Sequence, residues 1–358
     1  MQNIFTLSQK FQFLRRPRPL VTALAIVALI AVVALAAVNA TATPRNEAEV
    51  RIGSWVNELN NDKLTQSRQE AQRNLEAAGE AAVPQLLVAL RSDNTALRRN
   101  AADMLGFIAS PQATTALRDT LRNDPAPAVR RNAAWALGEI QATSAINDLQ
   151  QASITDRSAS VRGSAADSLA RIRSVLAKAS SVNEQWIGAY AAAPSQADLV
   201  YLAAKRDVLV SSDNGKNWTK LENVLPSQVS ALAVNPNDSQ KIYAGVEAMG
   251  LYASDDGGKT WHALNTGITA TPGARESISA IAIDPDDAKV LYIARGVWIG
   301  TGRVEFYPTG LMASRDGGKT WHALTAGSSA EEIAKLAFRD GQLYGLAGDR
   351  VLTLVTPR

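Results

Sequence analysis

The chain has 358 residues, of which 46% are hydrophobic and 20% are charged, a composition that suits two or three folded domains and does not favour disorder. The net charge is +3, and four positive residues, Lys10, Arg15, Arg16 and Arg18, precede the first long apolar run. The folded part therefore lacks the basic excess that nucleic-acid binding requires. The chain contains no cysteine, which excludes disulfides, zinc–thiolate sites and cysteine nucleophiles.

An apolar segment follows the basic N-terminus. Residues 20–38 contain no charge and one polar residue, Thr22, and a helix of roughly 20 such residues crosses the hydrocarbon of a bilayer. We expect a cytoplasmic tail at 1–18 and a single transmembrane anchor at 19–40, because positive flanks stay on the cytoplasmic side. The rest of the chain would then be periplasmic or extracellular. The alternative is a cleaved signal peptide, since small residues at 38–42 offer a cleavage site.

A 32-residue repeat occupies the middle of the chain. The segments 97–102, 129–134 and 161–166 share an apolar residue, an arginine and a pair of alanines, and each follows a second Leu-rich stretch and a turn. This pattern predicts stacked helical hairpins. It resembles HEAT repeats, in particular the short repeats of phycobilisome-lyase-like proteins. The resemblance covers about 47–177 and implies an α-α solenoid whose degenerate first unit acts as a cap.

Arginines recur at one position of this repeat, at Arg98, Arg130 and Arg162. We predict that they form a structural ladder with acidic residues in the turns between helices. These acids are Asp93, Asp124 and Asp156. The neighbouring Arg99 and Arg131 are freer to contact a partner and are candidate binding residues.

A different repeat begins after about residue 180, where Gly, Pro, Asn and Asp punctuate short β-rich runs. The motif Ser-x-Asp-x-Gly-x-(Asn/Thr)-Trp occurs at 211–218, 254–261 and 314–321. It resembles the Asp box of BNR-type propellers, the group that includes sialidases, sortilin and a photosystem assembly propeller. Its defining residues are Ser211, Asp213, Gly215, Trp218, Ser254, Asp256, Gly258, Trp261, Ser314, Asp316, Gly318 and Trp321.

These boxes are interpreted as structural. An Asp at this place can accept hydrogen bonds from its own turn, Gly supplies a positive φ, and Trp packs against the blade. His262 and His322 each follow a box Trp in the same sequence context, which indicates equivalent surface positions. No catalytic, cofactor-binding or metal-ligating residue is assigned.

The propeller-like domain, at 182–358, contains four units near 185–224, 227–266, 277–326 and 331–358. The last unit has no Asp box and ends before a fourth strand, so the units could form a small closed ring, an open arc, or half of a ring completed by dimerisation through propeller edges. The segment at 178–186 is the expected source of a closing strand within the chain.

The third unit carries a longer connection, 295–309, than the equivalent 247–249 of the second unit. Insertions in repeats commonly mark a binding face, and aromatic and Arg side chains are typical anchors of interfaces. Trp298, Arg303, Phe306 and Tyr307 are therefore candidate partner-binding residues. The alternative is that Trp298 and Phe306 pack under their own loop.

Together these patterns predict a multidomain chain in which α structure precedes β structure. It would contain a transmembrane helix, a HEAT-like solenoid and a four-unit Asp-box propeller-like domain. The expected function is a membrane-anchored, extracytoplasmic protein-interaction scaffold, or an assembly factor or subunit of a membrane complex, without enzymatic activity. The alternative is a glycan- or cell-wall-binding protein, extending to a BNR-type glycosidase, although four units are too few for the sialidase ring.

Overall fold

The computed structural model of the protein describes residues 47–268, 274–300, 305–324 and 333–354. Its contacts divide the chain into a unit that ends at Ser54 and a larger unit from Trp55 to Arg358. The expected tail and anchor, at 1–18 and 19–40, lie outside the described residues. None of the described helices is both long enough and apolar enough to cross a bilayer.

The helical region consists of stacked antiparallel pairs, as predicted. Helices α3 and α4, α5 and α6, and α7 and α8 form the pairs, and α4, α6 and α8 stack against one another. The helices are α1 (described over 47–58), α2 (Gln66–Ala78), α3 (Val83–Ala89), α4 (Thr95–Ile108), α5 (Thr114–Asn123), α6 (Pro127–Glu139), α7 (Ile146–Thr155) and α8 (Ala159–Ser180).

Small residues bring the stacked helices close together. Ala101, Ala133 and Ala165, one from each repeat, are fully buried. At Gly138 a Cβ atom would lie 2.4 Å from the hydroxyl oxygen of Ser168 on the next helix, so a larger residue there would separate α6 from α8.

The predicted arginine ladder is present at Arg98 and Arg130, but each of these two reaches the acid of the following turn, and Arg162 binds backbone carbonyls without a carboxylate partner among the described residues. Arg98 Nε lies 2.6 Å from the Asp124 carboxylate, and Arg130 Nε lies 2.7 Å from that of Asp156. The predicted role of the Asp93 carboxylate is wrong, because Asp93 offers Arg98 only its backbone carbonyl. A guanidinium fork spans the distance to the next repeat, so the pairs tie consecutive hairpins together.

The β region is a four-bladed propeller whose strands follow chain order within each antiparallel sheet. Blade 1 contains β1 (Ile187–Ala193), β2 (Gln196–Ala204), β3 (Asp207–Ser211) and β4 (Thr219–Lys220). Blade 2 contains β5 (Val229–Asn235), β6 (Asp238–Val246), β7 (Gly250–Ser254) and β8 (His262–Ala263). Blade 3 contains β9 (Arg275–Ile283), β10 (Leu291–Ile299), β11 (Glu305–Ser314) and β12 (His322–Leu324). Blade 4 contains β13 (Lys335–Arg339), β14 (Gln342–Ala347) and β15 (Arg350–Thr353).

Three apolar clusters fill the spaces between consecutive blades, and the repeated tyrosines mark them. Tyr201 belongs to the cluster between blades 1 and 2, Tyr243 to the next, and Tyr292 to the cluster between blades 3 and 4. All three are buried. Tyr344 holds the same position in β14, but the element that packs on β14 is a helix.

Helix α7 occupies the space between the last blade and the first. The inner strands contact one another in the order β1, β5, β9 and β13, whereas α7 contacts β13, β14 and β1. Among the described residues, β13 and β1 make no comparable contact. The four blades therefore form an open arc that the solenoid completes.

The expectation that segment 178–186 supplies a closing strand is wrong. Its first residues end α8, and residues Glu184–Trp186 form a short 3₁₀ turn before β1. Blade 4 has three strands in the described part of the chain. The free backbone groups of the arc lie on the edges of its inner strands, β1 and β13. The side chains of a helix can reach these groups, whereas a fourth, outer strand on blade 4 would not.

Amide side chains of α7 make those bonds. Asn147 Nδ2 donates to the carbonyl of Ala192 at 2.8 Å, and Gln150 Nε2 donates to that of Tyr190 at 3.1 Å, both in β1. Gln151 Nε2 donates to the carbonyl of Phe338 in β13. One turn of helix thus bridges the two ends of the arc.

Each Asp box forms the turn between the third and fourth strands of its blade. In the first box, the Asp213 carboxylate accepts hydrogen bonds from the Ser211 hydroxyl and from the backbone amides of Lys216 and Asn217. The glycine φ angles are +79°, +87° and +90° at Gly215, Gly258 and Gly318. The hydrogen bonds and the positive glycine φ angles are those that the structural interpretation of the boxes requires.

These bonds stabilise the charged carboxylate. They lower the pKa of Asp213, Asp256 and Asp316 to about 2. The leading cause is the backbone amide of Asn217 for Asp213, and the hydroxyls of Thr260 and Thr320 for the other two. Because each carboxylate is occupied by its own turn, the boxes close the blades and are poor candidates for a ligand site.

The ladder predicts a large loss of stability when one partner is removed. Replacing Asp156 by alanine leaves the guanidinium of Arg130 buried without its carboxylate, and we expect a loss of about 3–5 kcal/mol in the free energy of unfolding. Denaturant unfolding measures this. Asp93→Ala, on an exposed turn, should change the same quantity by less than about 0.5 kcal/mol; equal effects would contradict the ladder.

The Asp boxes predict acid sensitivity with a defined sign. Since their pKa values are lower in the folded chain than the ~3.9 of an unfolded Asp, the boxes stabilise the fold above about pH 4, and this stability is lost as the pH falls towards 2. In the variant Asp213→Asn/Asp256→Asn/Asp316→Asn, thermal melts between pH 2 and 5 should lose that slope. Glu222→Gln, at an exposed loop position, should retain it.

Candidate functional site

The candidate partner-binding residues of the 295–309 connection belong to the hairpin of β10 and β11, which we name the rim hairpin, or rim. Trp298 and Phe306 face each other across the two strands, with ring centroids 5.1 Å apart. The Phe306 ring also covers Gly296, where a Cβ would lie 2.2 Å from its Cζ. Trp298 and Phe306 therefore pack on their own hairpin, as the alternative interpretation predicted, and both are half-buried.

Tyr307 is the exposed member of this group. Its side chain is 47% exposed, and its hydroxyl donates to the Glu305 carboxylate at 3.1 Å, which raises the pKa of Tyr307. Arg303 lies outside the described residues. An open recess of about 610 Å³ adjoins Trp298 and is also lined by Arg275 and Ile299.

Charges beside the rim are paired. Arg295 Nη2 lies 2.7 Å from the Glu276 carboxylate, and Arg275 Nη2 lies 3.2 Å from that of Glu247 in blade 2. The backbone amide of Ala248 also donates to the carbonyl of Glu276. The bonds of Arg275 to Glu247 and of Ala248 to Glu276 join the edges of blades 2 and 3, and the pair of Arg295 with Glu276 links β10 to β9 within blade 3.

The two candidate arginines of the solenoid, Arg99 and Arg131, differ in their exposure and in their ion pairing. Arg99 lies 3.2 Å from the Asp62 carboxylate, and its side chain is about one quarter exposed. Arg131 is exposed and donates to the Asn132 amide oxygen at 2.9 Å. No carboxylate in the described part of the chain lies within ion-pair distance of Arg131.

Sequence reasoning missed three neighbours of these arginines. Burial raises the pKa of Asp103 to about 6, opposed by the positive charges of Arg131 and Arg99. Phe107 is 58% exposed and meets Trp135 edge to face, with centroids 5.0 Å apart. We name Arg99, Asp103, Phe107, Arg131 and Trp135 the solenoid patch. The 32-residue repeat could have identified two of these neighbours, because Asp103 and Trp135 are 32 residues apart and hold equivalent positions in it.

A cavity of about 910 Å³ lies inside the arc. The inner strands β1, β5, β9 and β13 line it together with α5, α7 and α8. On the helical side of this cavity, Arg118 and Arg122 both bind the Asp148 carboxylate. The sequence could not reveal this cavity, because its wall exists only where α7 meets the blades.

Other candidate groups remain separate. His262 and His322 are exposed on the short outer strands β8 and β12, as predicted. In the described residues, no group of three His, Asp or Glu side chains is placed to hold a metal ion. The Asp boxes lie at the opposite ends of the strands from the rim hairpin, because neighbouring antiparallel strands alternate in direction.

Family profiles match both repeat regions. The profile described as HEAT repeats matches residues 53–127 and 115–182. The profile described as sortilin, neurotensin receptor 3, matches residues 206–344. Each match agrees with the region in which the structure shows the corresponding fold.

Curated relatives match parts of the chain. A probable oligoxyloglucan-reducing end-specific xyloglucanase from Neosartorya fischeri is 27% identical over 149 residues, which cover 37% of this chain and 17% of the relative. The corresponding xyloglucanase of Emericella nidulans is 26% identical over 164 residues, which cover 40% and 19%. The chain thus spans less than a fifth of the length of these relatives.

Solved structures resemble each half separately. An ancestral GH74 enzyme has a TM-score of 0.39 and 26% identity, covering 47% of this chain and 22% of its own. The CpcE–CpcF complex of phycocyanin lyase from Nostoc has a TM-score of 0.32 and 29% identity, covering 34% and 78%. The profiles and the fold together show that this chain combines HEAT repeats with an Asp-box β-propeller.

Proposed function

We propose that the protein is a scaffold that binds other proteins, acting as an assembly factor or a subunit of a membrane complex. The observation that carries this proposal is the closure of the propeller arc by α7. Because the solenoid is part of the ring, the solenoid patch and the rim are held at a fixed separation. A rigid pair of surfaces can position two partners relative to each other, which flexibly linked domains cannot do.

The solenoid patch has the composition of a binding surface. It combines two arginines, an exposed phenylalanine and a tryptophan, and such residues dominate the energetics of interfaces. Repeat solenoids also commonly bind through the surface formed by one helix of each hairpin, and α4 and α6 hold this position. We propose that a protein partner binds here.

The proposed location is the extracytoplasmic side of a membrane, with the N-terminus in the cytoplasm. The apolar run at 20–38 and the basic residues before it support this. An anchored scaffold would act on proteins in or near the same membrane. No nucleic acid is proposed as a partner, because the chain lacks a basic excess after residue 18.

The protein is proposed not to be an enzyme. The Asp-box carboxylates are occupied by their own turns, and both histidines are exposed on outer strands. Neither group provides a nucleophile with an adjacent base.

Glycan binding is the second candidate, and the similarity to xyloglucanases favours it. Hydrolysis of the glycan by two carboxylates would release new reducing ends, whereas binding without hydrolysis would retain this protein on the polysaccharide. Retention of the protein on immobilised xyloglucan separates glycan binding from the scaffold, and a reducing-end assay of the same incubation then shows whether the glycan is also hydrolysed. Neither retention nor release is expected for a protein scaffold.

Charge reversal on the solenoid patch should abolish partner binding. With the C-terminally tagged chain solubilised gently from native membranes, we expect Arg99→Glu/Arg131→Glu to lower stoichiometric recovery of partner proteins at least tenfold, because two anchoring charges become repulsive. Mass spectrometry quantifies the recovery. Arg91→Glu, on an exposed turn, is the matched control. Unchanged recovery from the double variant would contradict binding at this patch.

The anchor makes a separate prediction. Deletion of residues 1–40 should move the chain from the carbonate-resistant membrane fraction to the soluble fraction, because the apolar run is removed. Fractionation followed by immunodetection measures this. A wild-type chain that already fractionates as soluble would refute the anchor and favour the cleaved signal peptide.

A further inference from the structure

Arg99 and Arg131 hold equivalent places in the 32-residue repeat, and their side chains have the same arrangement. Each guanidinium donates from Nε and Nη2 to the amide oxygen of the asparagine that follows it, Asn100 or Asn132, at 2.9–3.3 Å. These bonds fix the orientation of both guanidiniums in the free protein. Binding to either one therefore costs little conformational entropy.

A carboxylate already occupies the first of these two places. Asp62, in the loop before α2, lies 3.2 Å from Arg99 Nη2. The residue 32 positions after Asp62 is Asn94, which carries no charge and caps α4 with its side chain. The solenoid thus contains a filled copy of a carboxylate-binding place at Arg99 and, within the described residues, an unfilled copy at Arg131.

On α8, the residues beside Arg131 carry no charge. Contacts between stacked helices join side chains 28 positions apart in the aromatic pair of the solenoid patch, and 32 apart in the ion pair of Glu139 with Arg171. The same offsets place Ala159 and Gly163 next to Arg131. A Cβ atom on Gly163 would meet nothing within 4 Å apart from the backbone of its own helix, so the surface beside Arg131 is open to a partner chain.

On α4, three arginines share one carboxylate. Burial raises the pKa of Asp103 to about 6, and the positive charges of Arg131, Arg99 and Arg68 oppose this rise by favouring its charged form. Asp62 adds a second negative charge at Arg99. Three positive charges thus face at most two negative ones, and this part of the surface keeps a positive charge that favours an acidic ligand.

Aromatic surface adjoins the opening. Trp135 lies one helical turn after Arg131, on the same face of α6. Its ring packs against α4 at Gly106, where a Cβ atom would lie 2.4 Å from Cζ3, and it meets the exposed ring of Phe107. A partner chain that reaches Arg131 can therefore also bury an apolar side chain against these rings.

We infer that Arg131, Gly163 and Trp135 form a carboxylate-binding site that takes an acidic, partly apolar segment of a partner protein. The guanidinium of Arg131 would bind the carboxylate through charge-assisted hydrogen bonds, and the apolar residue of the segment would pack on Trp135 and Phe107. A basic segment would be repelled by the three arginines. The inference rests on the proposed scaffold function and deepens it by naming the chemistry of one partner.

Site-specific cross-linking in cells, with the full chain, identifies the bound segment. A benzophenone amino acid at Phe107 should yield one protein adduct. The cross-linked peptide should carry a carboxylate within about three residues of the attachment point, because about 10 Å of extended chain spans Phe107 to Arg131. The same group at Val88, which is 73% exposed on α3, is the control and should not give that adduct. A lipid adduct, a peptide without such a carboxylate or no adduct would each overturn the inference.

The identified peptide, synthesised with a fluorophore, then tests the role of Arg131 in a double-mutant cycle. Anisotropy with the full chain in detergent should show binding weakened about tenfold or more by Arg131→Gln. Replacing the acid of the peptide with its amide should weaken binding to the wild type equally, and should have little further effect on Arg131→Gln. Arg99→Gln is the matched control and should bind within about twofold of wild type, because Asp62 already occupies Arg99.

A second variant tests the open surface without removing a charge. Gly163→Leu fills the space beside Arg131, and leucine favours a helix more than glycine does. Its thermal melt should lie at or above that of the wild type, yet it should bind the peptide about tenfold more weakly. Binding equal to wild type by Arg131→Gln or by Gly163→Leu would overturn the inference.

The result can be separated from that of the scaffold proposal. If Arg131→Gln recovers membrane proteins from solubilised membranes as well as the wild type does, the scaffold stands and Arg131 is not its carboxylate-binding residue. If the wild-type chain recovers none, the scaffold itself is refuted.

Discussion

The architecture depends on three amide side chains of one helix. A propeller strand at the centre of the ring has a free edge whose backbone groups need partners, and an arc of four blades leaves such edges facing a gap. Asn147 and Gln150 satisfy carbonyls of β1, and Gln151 satisfies one of β13. Amides suit this position because they donate hydrogen bonds without bringing a charge into a partly buried space.

A second contact, made by the last arginine of the ladder, joins the solenoid to the propeller. Arg98 and Arg130 each bind the acid of the following turn, whereas Arg162, the last in the series, donates at that position to the carbonyl of Asp349 in blade 4. The propeller thus takes the place of the next repeat. This arrangement removes the exposed end that a solenoid otherwise needs a cap to cover.

Repeated residues made most of the fold predictable, and non-repeated contacts explain the rest. The 32-residue spacing and the three Asp boxes define local units, so helices, blades and turn roles follow from the sequence. The partner of Arg98, the helix that closes the arc and the cavity wall depend on residues far apart in the chain. The half-burial of Phe306 depends on Gly296, which leaves room for its ring, and on the facing Trp298, and a list of aromatic residues does not reveal this.

Closure by α7 also has a consequence for biosynthesis. Residues in α7 are made before any blade, and Gln151 meets Phe338 across 187 positions of sequence, a separation that makes closure late and slow. The solenoid can fold first as the ribosome releases it, and it then offers the template on which the two ends of the arc meet. Expressed without its helices, the propeller would expose two open edges, which are sites for aggregation.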